Sequence, residues 1–523
     1  LQEGWKAFCK KVISGEMNIE AARREASKYF HAYGVYPESI NLLKGCIFFM
    51  TKDAGEKKMV IIVDDLTDEV KKLTEDFQGE TESIEEKMVK LLPLSHHNAK
   101  ASRKWFPFTS PVAFGKGCMS MGLGDRLGLA SPGHLRLIKK TKIRPVLAQQ
   151  SIRELNLTER TYEDVLDAAS WAVFQEGYRL GFGADGDHLK TEDEVKMALD
   201  LGFSMITLDC SEMINNDVPA MSDEDVEKGY NSLEPDYIKR IEQDYLDSEF
   251  YVKDVISGDI KIAFDGGNLK RIVLIYGKAL DFINHIYHDI IKPAGRKVDF
   301  EVSIDETMTP TTPQAHFFVA SELKKKGVDV TSLAPRFCGE FQKAIDYIGD
   351  IEQFEREFKV HAAIADLFGY RLSIHSGSDK FKVFPIIGKY TKGRVHVKTA
   401  GTNWLEALKV IAHKKPDLFR KIYIFALEHF HEATRYYHVT TNLANVPDIS
   451  TMSDEDLSHV LIQDDARQVL HITYGLILTA KNEDGKYLLK DDIYSTLNEH
   501  EEEYYKALEE HIGKHLKLLQ ASV

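Results

Sequence analysis

Residues 116–410 repeat one pattern: a short run of apolar or small residues, a polar turn, then apolar positions spaced as on a helix. Eight such runs occur, at 121–129, 145–152, 178–184, 203–209, 298–305, 328–334, 370–375 and 394–398. Around the third, Gly183-Ala184-Asp185-Gly186-Asp187-His188-Leu189-Lys190 gathers charge at what reads as a strand end. Thr191-Glu192-Asp193-Glu194 follows with the form of a helix capping box, and Val195, Ala198 and Leu199 continue at helical spacing up to the fourth run. Strand, turn, helix and strand make a βαβ unit. Eight alternating units predict an α/β fold, a TIM (β/α)8 barrel at 116–410 whose active site lies at the carboxyl ends of the strands.

The flanks read differently. Over residues 1–115, amphipathic helices at 20–33 and 84–92 surround strands at 46–50 and 59–63, joined by a turn at 52–58, which predicts an N-terminal α/β cap. Residues 212–268 interrupt the barrel after its fourth strand with an insertion rich in acidic residues and tyrosine, expected to act as a lid or substrate wall. Residues 411–523 read as a helical C-terminal extension ending in a charged helix at 498–517.

Composition narrows the function. The 523 residues are 43% hydrophobic and 28% charged, with 67 Lys and Arg against 82 Asp and Glu, a formal charge of −15. A chain this acidic, without a basic block, is a poor binder of phosphate backbones. Cys9, Cys46, Cys118, Cys210 and Cys338 form no C-x-x-C pair, so neither a thiolate zinc site nor a disulfide framework is expected, and a reducing cytoplasm fits. No apolar run approaches the roughly 18 residues of a membrane span, and no signal pattern opens the chain.

The polar residues at the strand ends carry the chemistry. His188, His316, His375 and Glu306 would make a nitrogen-and-oxygen site for a divalent transition metal such as Zn, Mn, Ni or Co. Alternation sends Asp305 and Glu306 to opposite sides of an extended strand, and Glu306 is taken to face the metal. Lys398-Thr399-Ala400-Gly401-Thr402, after the eighth run, suits an anionic group bound through backbone N–H donors, with Lys380 and Lys398 supplying charge. Arg126, Gln150, Ser151, Lys190, Ser376 and Thr399 complete the expected substrate-binding set.

Two resemblances build on these residues. Asp187-His188, the segment from Gly202 through Asp209 to Ser211, and His375-Ser376-Gly377-Ser378 are similar to the Asp-His, Gly-Phe-x-x-Val-Met-x-Asp-x-Ser and His-Gly-Gly-Ser segments of class II fructose-bisphosphate aldolases. That resemblance implies Asp187 as the proton-transfer group and His188 and His375 as metal ligands. Those aldolases place another ligand His after the sixth strand, where this chain has Arg336-Phe337-Cys338-Gly339, so the third ligand is sought in Glu306 or His316. Across nearly the whole chain, Gly122-Leu123-Gly124-Asp125-Arg126, Ala148-Gln149-Gln150-Ser151, Asp305-Glu306-Thr307, Lys398-Thr399-Ala400-Gly401-Thr402 and the segment from Asp465 to Gly475 resemble the tagaturonate epimerase family. The resemblance implies interconversion of D-tagaturonate and D-fructuronate at carbon 4, with related activity on tagatose and fructose.

The hydrogen on carbon 4 of a 2-keto sugar is β to the ketone and is not acidic, which favours retro-aldol cleavage between carbons 3 and 4 and re-closure on the other face. Asp187 would move the proton of the carbon-4 hydroxyl, and whichever of Asp305 and Glu306 is free of the metal would serve the opposite face. Arg126, Lys190, Lys380 and Lys398 are the candidate cations for a substrate carboxylate. An aldolase that releases its two fragments and a noncatalytic sugar-binding subunit are the rival readings. The expected partner is a small sugar or sugar acid, with a homo-oligomer left open and neither nucleic acid nor membrane involved.

Overall fold

The computed structural model describes residues 4–15, 18–53, 55–254 and 258–520. Among them eight parallel strands close into a barrel in chain order. They are β1 (Ser120–Gly122), β2 (Arg144–Ser151), β3 (Gly183–Leu189), β4 (Met205–Asp209), β5 (Asp299–Ile304), β6 (Ser332–Pro335), β7 (Arg371–Ile374) and β8 (Val395–Lys398). Closure comes from β8 on β1, where His396 pairs with Ser120 and Lys398 with Gly122. A helix follows each strand, from Ser131–Ile138 after β1 to Thr402–Lys414 after β8, so the strands are covered outside by apolar helix faces.

All eight apolar runs hold a barrel strand, but the third is displaced. It runs Gly183–Leu189 rather than 178–184, which takes Asp185, Asp187 and His188 out of the expected loop and into the strand. Its carboxyl end carries a bulge: the pairing with β4 shifts register between Gly186 and Leu189, and His188 has φ +55°. In a regular strand neighbours point to opposite faces. The bulge turns Asp187 and His188 into the same cavity, the local re-aiming that bulges beside active sites provide.

The N-terminal region builds a five-stranded antiparallel sheet whose central strand, Glu56–Val63, and its neighbour, Cys46–Asp53, match expectation. Residues 84–92 are not helical. They belong to a hairpin of Glu80–Ile84 and Lys87–Pro93, turned by Glu85 and Glu86 at φ +47° and +64°. Positive φ at both turn residues is usually marked by Asn-Gly. With Glu-Glu there, the sequence lacks the signal.

The insertion also departs from expectation. Helices Asp223–Asn231 and Pro235–Tyr245 and the hairpin strands Glu249–Asp254 and Gly258–Ala263 pack on the barrel's flank through Tyr245, Phe250, Phe264, Phe317 and Phe318. None of its described residues lines the cavity at the barrel mouth. The C-terminal extension covers that mouth, contributing Tyr437 from the loop after helix Phe430–Ala433 and His471 from helix Asp464–Ile472, and the final helix Glu501–Gln520 grips the loop after β7, where the Asp379 N–H donates to His515 Nε2 (3.0 Å).

Candidate active site

The barrel interior is polar by design of its strands. Asp299, Glu301 and Ser303 alternate along β5, Asp185 and Asp187 along β3, Arg371 and Ser373 along β7, and His396 and Lys398 along β8; all are buried. Period-two placement puts each set on one face, and closure of the sheet makes that face the inside. A lower layer links Arg371 to Ser120 Oγ (2.7 Å) and Ser120 Oγ to His396 Nδ1 (2.8 Å).

Above it, Lys398 is the hub. Its Nζ donates to Asp187 Oδ1 (2.6 Å), Asp185 Oδ2 (3.0 Å) and Thr207 Oγ1 (2.7 Å), and lies 2.9 Å from Glu301 Oε1. Burial pulls the amine down, but the three carboxylates outweigh it and hold it well above the usual lysine range. Burial pushes Asp187 and Glu301 up, and Lys398 with the neighbouring imidazoles more than reverses this, so both stay ionised. Asp185 is pushed up to about 6, by burial first and by Asp187 and Glu301 beside it, against the pull of Lys398.

Two imidazoles and a carboxylate stand over this hub. His188 Nδ1 lies 2.7 Å from Asp187 Oδ1, and His375 Nε2 lies 2.9 Å from Glu301 Oε1. Each ring is thus held by a buried carboxylate on one nitrogen, which leaves His188 Nε2 and His375 Nδ1 for other partners. His375 Nδ1 faces Asp305 Oδ1 at 3.0 Å, and the two rings are 4.7 Å apart. One ligand atom from each of His188, His375 and Asp305 falls within 4.8 Å of the others. A carboxylate behind each imidazole, a second ring nitrogen on each left clear of that carboxylate and a third oxygen donor fit a three-ligand divalent site with an open position toward the cavity.

The cavity is lined by Asp187, His188, Asp305, Glu306, His375, Ser376, Lys398, Ser151 and Arg126 of the expected residues. Glu306 lies exposed at the rim; the carboxylate beside the histidines is that of Asp305, not Glu306. His316 is apart from the cluster, buried among the helices with Nδ1 2.9 Å from His361 Nδ1 and Nε2 2.6 Å from the Tyr370 hydroxyl, so neither ring nitrogen is available to a metal.

Four expected substrate contacts do not line the cavity. Gln150 alternates away, and its neighbour Gln149 takes the inward place, donating to Asp187 Oδ2 (3.3 Å). Gly122 makes room for it: a Cβ there would stand 2.1 Å from Gln149 Oε1. Thr399 ties β8 to β1 by donating to the Gly122 carbonyl (2.8 Å). Lys190 pairs with Glu212 (3.4 Å) and Asp209 (3.7 Å). Lys380 is wholly buried, its amine donating to the carbonyls of Gln342, Ile345 and Ser378, so it anchors loops.

Sequence reasoning missed Glu301, Thr207, Lys343, Arg153, Tyr437 and His471. For Glu301 a signal existed, since an acidic residue at period two with Asp299 and Ser303 inside an apolar strand marks an inward polar face. Thr207 and His471 lie within the segments at 202–211 and 465–475 that carry the resemblances, which was their signal; Lys343, Arg153 and Tyr437 had none.

The model of the tagaturonate epimerase family matches residues 36–519 of this chain. A curated relative, the tagaturonate/fructuronate epimerase of Thermotoga maritima, is 41% identical over 489 residues, 93% of this chain and 97% of its own. The crystal structure of fructuronate-tagaturonate epimerase from Cohnella laeviribosi superposes in its native form with a TM-score of 0.89 at 52% identity, over 95% of this chain and 99% of that one. Its complex with one glycerol gives the same score and identity over 96% and 99%. With the family model and such a relative both spanning over nine-tenths of it, on a closed barrel with one polar mouth, this chain belongs to the tagaturonate epimerase family.

Proposed function

We propose that this chain interconverts D-tagaturonate and D-fructuronate by inverting carbon 4, with D-tagatose and D-fructose as lesser substrates, and that His188, His375 and Asp305 hold a divalent transition metal for the reaction. The observation that carries the reading is the pair of carboxylate-backed imidazoles beside Asp305, with the ionised Asp187 at the same cavity wall. The relatives' activity names the substrate pair. A bound ion would supply Lewis acidity to the ketone and the neighbouring hydroxyl of a 2-keto sugar.

The chain's own groups do the rest. Asp187, kept as a carboxylate by Lys398, accepts the proton of the carbon-4 hydroxyl as the bond between carbons 3 and 4 breaks. The electron pair of that bond passes into the enediolate of carbons 1 to 3, and carbon 4 becomes an aldehyde. Rotation of the aldehyde, re-formation of the bond on its other face and return of the proton complete the inversion. The enclosing cavity holds both fragments meanwhile, which separates an epimerase from an aldolase that releases them. A cytoplasmic setting belongs to the same reading; the five cysteines are unpaired, and no described helix is long and apolar enough to cross a membrane.

Two experiments test it. Dialysis against a chelator is expected to lower activity at least about a hundredfold, with recovery on adding Zn, Mn, Ni or Co and near-stoichiometric metal by elemental analysis. Full activity in metal-free protein would remove the metal from the proposal. Substrate deuterated at carbon 4 should keep its label through epimerisation, because the retro-aldol route never breaks that C–H bond. Washout of deuterium into solvent would replace this route with direct deprotonation, and free three-carbon products would point to an aldolase.

A further inference from the structure

Five cations face the cavity and its outer continuation, and most are already engaged. Lys398 is enclosed by three carboxylates. Arg126 is buried, donates twice to Glu154 Oε1 (2.8 and 3.0 Å) and stacks 3.7 Å from the Tyr474 ring centre. Arg336 lines only the outer part. Lys343 and Arg153 differ: both line the inner and the outer part, and neither has a carboxylate within ion-pair distance among the described residues. Lys343 Nζ has the Ser376 hydroxyl (2.9 Å), and Arg153 has the Tyr436 carbonyl (3.3 Å) and the Tyr437 ring, 4.9 Å from its guanidinium.

We propose that Lys343, backed by Arg153, is the carboxylate-binding subsite that makes this enzyme prefer a hexuronate over a neutral ketohexose. The inference rests on the functional reading above and names the residues that read carbon 6. Ser376, next in sequence to His375, holds the Lys343 amine on the wall of the cavity that His188 and His375 also line, so a six-carbon chain bound at the histidines shares its pocket with this amine.

The subsite is built in advance of the ligand. The loop after β6 that carries Lys343 is gripped from three sides. Lys380 donates to the Gln342 and Ile345 carbonyls (2.8 and 2.6 Å), Arg467 Nε to the Ala344 carbonyl (2.8 Å), and Gln468 Nε2 to Gln342 Oε1 (3.0 Å). Ala344 sits at φ +65°, a conformation that a non-glycine residue keeps only when its surroundings impose it. A lysine fixed in this way loses little freedom on binding an anion, which is where preorganised sites gain affinity. Burial first, and then Arg153 and Arg126, pull the Lys343 amine below the usual lysine range against the opposing pull of Glu154 and Glu306, so a carboxylate arriving in contact with it would favour its charged form.

The test compares tagaturonate with tagatose in the full-length, metal-loaded protein. Lys343→Met should lower kcat/KM for tagaturonate by roughly 10- to 100-fold, mainly through KM, as expected for loss of one hydrogen-bonded charge. The tagaturonate-to-tagatose preference should fall at least about tenfold, and Lys343→Arg should recover part of it. A preference within threefold of wild type, or equal losses on both sugars, would overturn the subsite. Calorimetric binding separates this from failure of the functional reading: a wild type that binds tagaturonate without epimerising it sinks the activity, while the Lys343→Met loss of tagaturonate binding still judges the subsite.

Discussion

Asp187→Asn is expected to lower kcat for tagaturonate about a thousandfold, within the range for loss of a general acid–base group. The amide keeps the size of the side chain and can still accept from Lys398, which now donates to Asp187 Oδ1 at 2.6 Å, but it cannot take a proton. Because Asp187 also orients His188, metal affinity should weaken by about 10- to 100-fold, as when a carboxylate behind a ligand histidine is lost. The two effects separate by titrating metal to saturation and then reading kcat. A variant whose kcat returns to within tenfold of wild type at saturating metal would reduce Asp187 to an orienting residue and move proton transfer to Glu306 at the rim.

Lys398→Met tests the hub. It leaves Asp185, Asp187 and Glu301 buried without the cation that all three share, and removing one partner of a buried charge cluster costs about 3–5 kcal/mol. Urea unfolding should show a loss of that order, and activity should fall with it, since the His188 and His375 imidazoles lean on Asp187 and Glu301. Adding Asp185→Asn to the same chain should restore part of the stability by removing one unpaired charge. Stability within about 1 kcal/mol of wild type for Lys398→Met alone would show that the carboxylates find other compensation and that the hub is not what holds the layer together.

The sequence resemblance and the structure agree on the family, and local pattern reached far into the fold. Each barrel strand is a short apolar run between a polar turn and a helix, and such periodicity depends only on near neighbours, so all eight were readable. The chemistry at strand ends was readable for the same reason: Asp187, His188, His375 and Lys398 stand where an α/β barrel presents side chains to its mouth. Boundaries failed where the backbone leaves the regular path without glycine. The Glu85-Glu86 turn and the His188 bulge both have positive φ at residues that give no warning.

Other features have no local cause at all. Glu301 and Asp185 share Lys398 only because β3, β5 and β8 face one another across a closed barrel, and Asp305 rather than Glu306 reaches the histidines because of how β5 ends. His316 and Lys380 looked like site residues by type and position, but the helices and loops packed around them consume their polar atoms. Lys343 stays without a carboxylate because distant segments, at residues 380 and 467–468, hold its loop at the cavity. From the sequence alone came the order of strands and the chemical types at their ends, which short-range periodicity encodes. Which of those groups share a proton, a metal or a substrate was decided by closure of the barrel and the docking of the C-terminal helices, since a charge's role depends on what stands opposite it in space.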